Sequence, residues 1–239
     1  MSNSAGPQDR PFRGAARLLA ALLPRECFLC AAASGSDFLC AACFHNLPRL
    51  TGERCPVCAL PTPAAAICGA CLKKPPQFDA TQAVFRYEFP VDRLVHALKY
   101  AHRLAGAHFL GEVLALQAPG ALPDMVLPVP LAPQRLAERG FNQALEIARP
   151  LAAQLGLKPE TRHVRRHIDT TPQASLPWKE RAKNIRHAFA CDIDLSGLAI
   201  LVIDDVMTTG ATLNELAGTL KAHGAARVEN LVLARALKD

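Results

Sequence analysis

The stretch LAILVIDDVMTTGATL, Leu198 to Leu213, decides how the chain is read. From Leu198 to Ile203 it is almost continuously large and aliphatic, with no polar alternation, as expected of a strand buried on both faces of a sheet. The run stops at two adjacent carboxylates, Asp204 and Asp205, at the strand's C-terminal end, where open α/β sheets bind their ligands. Thr208, Thr209, Gly210, Ala211 and Thr212 then lead into a helix expected from about Leu213 to His223. Small residues let backbone curl round an anion, hydroxyls donate to it, and the N–H groups of a helix's first turn face the same point. One strand-loop-helix thus offers a monophosphate cradle beside two carboxylates able to accept hydrogen bonds from a diol.

A sugar phosphate with free vicinal hydroxyls satisfies both halves. The run from Val202 to Thr212 resembles the signature of the type I phosphoribosyltransferases, which bind 5-phosphoribosyl 1-pyrophosphate (PRPP). The resemblance implies an α/β fold, a parallel sheet flanked by helices. It implies that Asp204 and Asp205 hold ribose, that Thr208 to Thr212 hold the 5′-phosphate, and that magnesium accompanies PRPP.

Eight of the nine cysteines lie between positions 27 and 71 as four CxxC pairs: Cys27/Cys30, Cys40/Cys43, Cys55/Cys58 and Cys68/Cys71. Each cysteine of the second half follows its counterpart by 28 residues, so the segment is an internal repeat. A CxxC turn delivers two thiolates to one metal, and two such turns complete a tetrahedral zinc site. Two structural zincs are expected. Pairing within each repeat is favoured by the short loops, while cross-bracing of Cys27/Cys30 with Cys55/Cys58 stays open. Few aliphatics lie between the knuckles, so metal is expected to supply most of the folding energy of residues 24–73. Cys191 stands apart and reads as a core residue.

Lys73-Lys74-Pro75-Pro76 marks a boundary, because paired prolines continue neither ladder nor helix. The expected organisation is an N-terminal extension over 1–23, a small double zinc-ribbon domain over 24–73, and a phosphoribosyltransferase-like domain over 78–239. In the last, Thr81 to Phe89 reads as a strand, Val91 to Leu104 and Gly106 to Gln117 as helices, and Met125 to Val129 as a second buried strand. His96, Lys99, Tyr100, His102 and Arg103 read as a solvated basic face. After the second strand, Arg135 and Arg139 stand one helical turn apart before Gly140-Phe141-Asn142-Gln143. In a phosphoribosyltransferase fold the loop after this strand holds pyrophosphate, which the planar guanidinium donors of arginine suit.

With the cysteine repeat, the segment Val129 to Gln143 and a third block of Thr171, Gln173, Leu176, Arg181, Asn184 and Phe189, the resemblance narrows to the ComF family of competence-associated proteins. It implies a role in taking up or using DNA, with single-stranded DNA and DNA-uptake machinery proteins as partners. Residues 161–187 form the most basic part of the chain, with Arg162, Arg165, Arg166, Lys179, Arg181, Lys183 and Arg186 around a single Trp178. By the same resemblance this is a flap over the site, able to clamp phosphates or track a nucleic-acid backbone.

The chain has 239 residues, half of them hydrophobic, and a formal charge of +6 that favours polyanions. The apolar run Ala15 to Leu23 is interrupted by Arg17 and is too short to span a bilayer, so a soluble, cytoplasmic chain is expected. Two functions stay open: an enzyme displacing pyrophosphate from PRPP, and an adaptor that binds nucleotide or DNA 5′-phosphate without turnover. Elemental analysis of purified protein is expected to find two zincs per chain; one or none would reject the paired sites.

Overall fold

In the computed structural model, residues 25–100, 104–117, 120–167 and 187–237 are described. The block of Thr171, Gln173, Leu176, Arg181 and Asn184, with Trp178 and the basic residues Lys179 to Arg186, lies outside them, as does the run Ala15 to Leu23. By contact the chain forms two compact units, Met1–Leu47 and Pro48–Asp239.

In the first unit, β1 (Arg25–Glu26) pairs antiparallel with β2 (Ala33–Gly35), and α1 (Ala41–His45) follows. Phe28 and Phe38 stack at 5.2 Å between ring centroids, giving this small unit an apolar contact beside its four cysteines.

The second unit opens with the other cysteine repeat and its helix α2 (Gly69–Lys73). The main sheet then takes β3 (Ala80–Arg86), β4 (Met125–Pro128), β7 (Ala199–Met207) and β8 (Arg227–Arg235), in the order β3-β8-β7-β4 and parallel at every pair. The helices are α3 (Val91–Tyr100), α4 (Leu104–Ala115), α5 (Pro133–Arg139), α6 (Gln143–Gln154) and α7 (Ala211–Ala222). Strand β5 (Val164–Arg166) forms a separate antiparallel pair with β6 (Phe189–Cys191). This is the expected parallel sheet with flanking helices. Helix boundaries shift by a residue or two: α7 begins at Ala211 rather than Leu213, and the helix expected over Gly106 to Gln117 is Leu104–Ala115.

β7 has the burial that its composition predicts. Ile200, Leu201, Val202 and Ile203 are all at most 2% exposed, although they alternate between faces. On one face Ile200 and Val202 share a core with Leu213, Leu216 and Leu220 of α7. Cys55, Cys58 and Cys71 belong to that same core, with Phe78 and Met207. The second cysteine repeat is therefore built into the sheet's own hydrophobic core, and its fold draws on apolar burial as well as on metal.

The repeat in sequence is a repeat in backbone. Cys27 N–H donates to Ala32 O at 2.7 Å, and Cys55 N–H to Leu60 O at 2.8 Å. Ala31 N–H donates to Cys27 O, and Ala59 N–H to Cys55 O, both at 2.9 Å. Closing these knuckles puts Ala31 and Ala59 at φ of 58° and 59°, a left-handed conformation that a Cβ disfavours. Ala59→Gly should relieve this strain and raise stability by about 0.5–1 kcal/mol, read from the urea midpoint at unchanged zinc content. An unchanged or lower midpoint would show that the knuckle tolerates the Cβ at no cost.

Candidate sugar-phosphate site and metal centres

The two four-cysteine groups close within repeats. Cys27, Cys30, Cys40 and Cys43 bring their sulfurs within 4.8 Å of one another, and so do Cys55, Cys58, Cys68 and Cys71. A zinc tetrahedron with Zn–S bonds of about 2.3 Å has S–S edges of about 3.8 Å. The measured Cys30–Cys40 and Cys58–Cys68 separations are 3.7 Å and 3.5 Å. None of the nine cysteines forms a disulfide.

Equivalent positions share their electrostatics. Burial works against ionising Cys27 and Cys55, but surrounding backbone N–H groups outweigh it and lower their pKa values to about 6 and about 7. At the other end of each repeat, hydrogen bonding with the Cys30 thiol, then burial, pushes Cys43 up to about 12. Burial raises Cys71, followed by its hydrogen bonds with Cys58 and Cys68. Four thiolates this close cannot coexist without a dication, which is the donor set that zinc selects.

The other centre lies at the C-terminal ends of the parallel strands. Asp204 and Asp205 sit in the last half of β7, which runs on to Met207. Asp204 Oδ1 accepts from Asp205 N–H, and Asp205 Oδ1 from Val206 N–H, both at 2.9 Å. Asp205 is buried, and Lys99 Nζ of α3 meets its Oδ2 at 2.5 Å. Asp204 retains some surface, yet burial, followed by the charge of Asp205, raises its pKa well above the usual carboxylate range. Burial alone would lower the Lys99 pKa, but the carboxylate of Asp205 overcomes it and holds the ammonium above its ordinary value.

Lys99 thus belongs to the site and not to a solvated face. Its signal in the sequence was weak, a single basic residue 106 positions before its partner.

Beyond β7, Thr208 and Thr209 are half-buried, and Gly210 is the N-cap of α7 with φ of 79°. Thr209 Oγ1 accepts from Ala211 N–H at 3.1 Å, and Asn214 N–H closes the first turn on Gly210 O at 2.8 Å. Gly210 is constrained in two ways. Its left-handed φ demands glycine, and a Cβ there would meet Met207 Cε at 2.6 Å and then the Phe78 ring, inside the protein. Backbone conformation and packing beneath the loop both favour glycine here.

Arg135 and Arg139 both lie on α5, which follows β4. That strand leaves the sheet beside β7, with Pro128 opposite Ile203 and Val129 N–H donating to Ile203 O at 2.9 Å. The arginine helix therefore starts at the end of the sheet that carries Asp204. Gly140, at φ of 76°, caps α5, and Asn142 caps α6 through Ala144 N–H while donating to Val129 O at 3.0 Å. Arg139 Nη1 donates to Gln143 Oε1 at 2.5 Å.

Of the basic segment, the described residues form the β5–β6 pair. Arg165 and His163 both contact Asp192, and the Arg166 guanidinium lies 5.8 Å from the Phe189 ring centroid. Arg165 thus pairs with a carboxylate at the surface.

Arg235 is the residue that sequence reading missed outright. It ends β8, is 3% exposed, and donates to Cys58 O at 2.9 Å, Met207 O at 2.9 Å, Ala236 O at 2.8 Å and, more closely, Thr208 O. Burial lowers its pKa, and the thiols of Cys58, Cys68 and Cys71 work to raise it again.

Comparison with known proteins finds relatives for both parts of the chain. The double zinc ribbon domain matches residues 18–72, and the phosphoribosyl transferase domain residues 141–239. "DNA utilization protein YhgH" of Salmonella typhi is 36% identical over 172 residues, 69% of this chain and 76% of that protein. "Competence protein F" of Haemophilus influenzae is 31% identical over 174 residues, again 69% of this chain and 76% of that protein. The chain belongs to the ComF family. Among solved structures, a purine phosphoribosyltransferase from Pyrococcus horikoshii Ot3 is 21% identical, covering 65% of this chain and 77% of its own, at a TM-score of 0.29. Among the described residues of this ComF protein, no helix is long and apolar enough to cross a membrane.

The raised Asp204 pKa makes stability depend on pH. Below the unfolded pKa both states are protonated; as pH rises towards the folded pKa, the unfolded chain ionises first and stability is lost. Asp204→Asn removes that penalty. The variant should unfold at higher urea than wild type at pH 7, and the gap should close towards pH 3. A gap that stays the same at both pH values would assign the effect to packing.

Proposed function

We propose that this ComF-family protein binds PRPP or a related sugar phosphate or nucleotide, and that it serves DNA uptake or DNA use by acting on single-stranded DNA in the cytoplasm. One observation carries the ligand reading: β7 carries Asp204 and Asp205 in its last half and leads through a left-handed Gly210 into the first turn of α7. The 5′-phosphate takes the first-turn N–H groups and the hydroxyls of Thr208, Thr209 and Thr212, while the ribose hydroxyls donate to Asp204 and Asp205. Arg135 and Arg139 serve the pyrophosphate from α5, which follows the neighbouring strand.

Lys99 neutralises Asp205, so the pair of acids presents close to one negative charge rather than two. Asp204 has the raised pKa of a carboxylate short of a cation or donor, which suits ribose hydroxyls and the magnesium that accompanies PRPP. Magnesium would screen the pyrophosphate oxygens. Zinc at the cysteine groups supplies structure, since four thiolates leave no open coordination position. The names of the relatives support the DNA role, and the charge of +6 favours a polyanion.

Turnover is the second reading. An ionised Asp204 facing ribose C1 would stabilise positive charge as pyrophosphate departs, and α7 would anchor the phosphate throughout.

Calorimetry with PRPP and magnesium should show binding by wild type, and the Asp204→Asn/Asp205→Asn variant should lose at least about tenfold in affinity while keeping its circular dichroism. Equal affinities would remove the ribose assignment. Pyrophosphate release in the same samples, with and without single-stranded DNA, separates turnover from binding alone.

A further inference from the structure

Arg235 joins two places that the site description keeps apart. Its Nε donates to the carbonyl of Cys58, a member of the second cysteine group, and its Nη1 to the carbonyls of Met207 and Thr208, where the phosphate loop begins. Ala236 N–H adds a second donor to Met207 O at 3.0 Å. Because a trans peptide points its N–H opposite to its C=O, carbonyls turned towards Arg235 send the N–H groups of Thr208 and Thr209 the other way. Successive N–H groups directed alike form an anion-binding concavity. The guanidinium thus shapes the loop from behind, without facing a ligand.

The charge balance strengthens the link. Four thiolates with one zinc carry a net charge of −2, and Arg235 is a buried cation bonded to that group's backbone. The same knuckle is fastened to the sheet by Thr81 N–H donating to Pro56 O at 3.1 Å. The bonds described for Arg235 all lie within the unit Pro48–Asp239, which does not contain the first cysteine group.

We infer that Arg235 is a positioning residue, through which zinc at the second cysteine group holds the phosphate loop in its binding shape, whereas zinc at the first group does not. The consequence is regulatory. Zinc withdrawal from the second group, or oxidation of two of its thiolates to a disulfide by a peroxide that takes two electrons from the pair and two protons from solvent to form water, would release the loop and turn ligand binding off. This inference rests on the sugar-phosphate reading for its ligand but not for its structural coupling.

Hydrogen exchange and calorimetry on the full-length protein test it together. Arg235→Gln should retain two zincs per chain, exchange faster by about ten- to hundredfold in peptides spanning 207–213, and lose a similar factor in affinity for PRPP. Arg235→Lys keeps the charge but not the fork of donors, so it should fall between Arg235→Gln and wild type; it carries the test if Arg235→Gln fails to fold. Cys27→Ser/Cys30→Ser should lose one zinc and leave exchange over 207–213 and PRPP affinity as in wild type.

Wild-type exchange over 207–213 in the Arg235 variants would overturn the inference, as would release of that loop on emptying the first group alone. Should wild type not bind PRPP while exchange responds as described, the ligand reading fails and the coupling stands.

Discussion

A strand buried on both faces must find backbone partners along both edges, and β7 is such a strand. Its partners are β8 and β4, all parallel, so the C-terminal ends of these strands come out on one side of the sheet. Everything that bears on function follows from this. The acids lie in the last half of the central strand, the threonine loop continues it, and the arginine helix follows the strand next to it. Lys99 and Asp205, on separated segments, meet at that end because the apolar residues beneath them fix the strands.

The site then sets charge against burial at short range. Lys99 secures Asp205, and Asp204 is left beside it with its negative charge disfavoured. A fold optimised for stability alone would place an uncharged side chain there. Keeping two carboxylates at the end of a buried strand is the local conflict expected where a site must meet donors from outside the protein.

What was legible in the sequence was what neighbouring residues decide. An unbroken aliphatic run, two acids, a Thr-Gly-Xaa-Thr loop and a 28-residue cysteine spacing each express local geometry, and each appears in the structure at its expected position. Lys99 was hidden because a basic residue late in an amphipathic helix has the same appearance whether it meets water or a distant aspartate. Arg235 was harder still, closing an apolar strand and reaching a carbonyl 177 residues away. The direction of the missing Cβ at Gly210 was equally out of reach, since a glycine code for positive φ says nothing of what lies beneath it.

The two halves of the cysteine repeat are alike in backbone and unlike in surroundings. In the first group Cys27 is buried, Cys30 is exposed, and the other two are half-covered; in the second, three of the four are buried and three share the sheet's core. Metal leaves a thiolate cage when an incoming ligand reaches it one bond at a time, so the rate follows access to the sulfurs. The two halves of the repeat therefore differ in how readily a competing ligand reaches their sulfurs, the first with Cys30 at the surface and the second closed into the sheet's core.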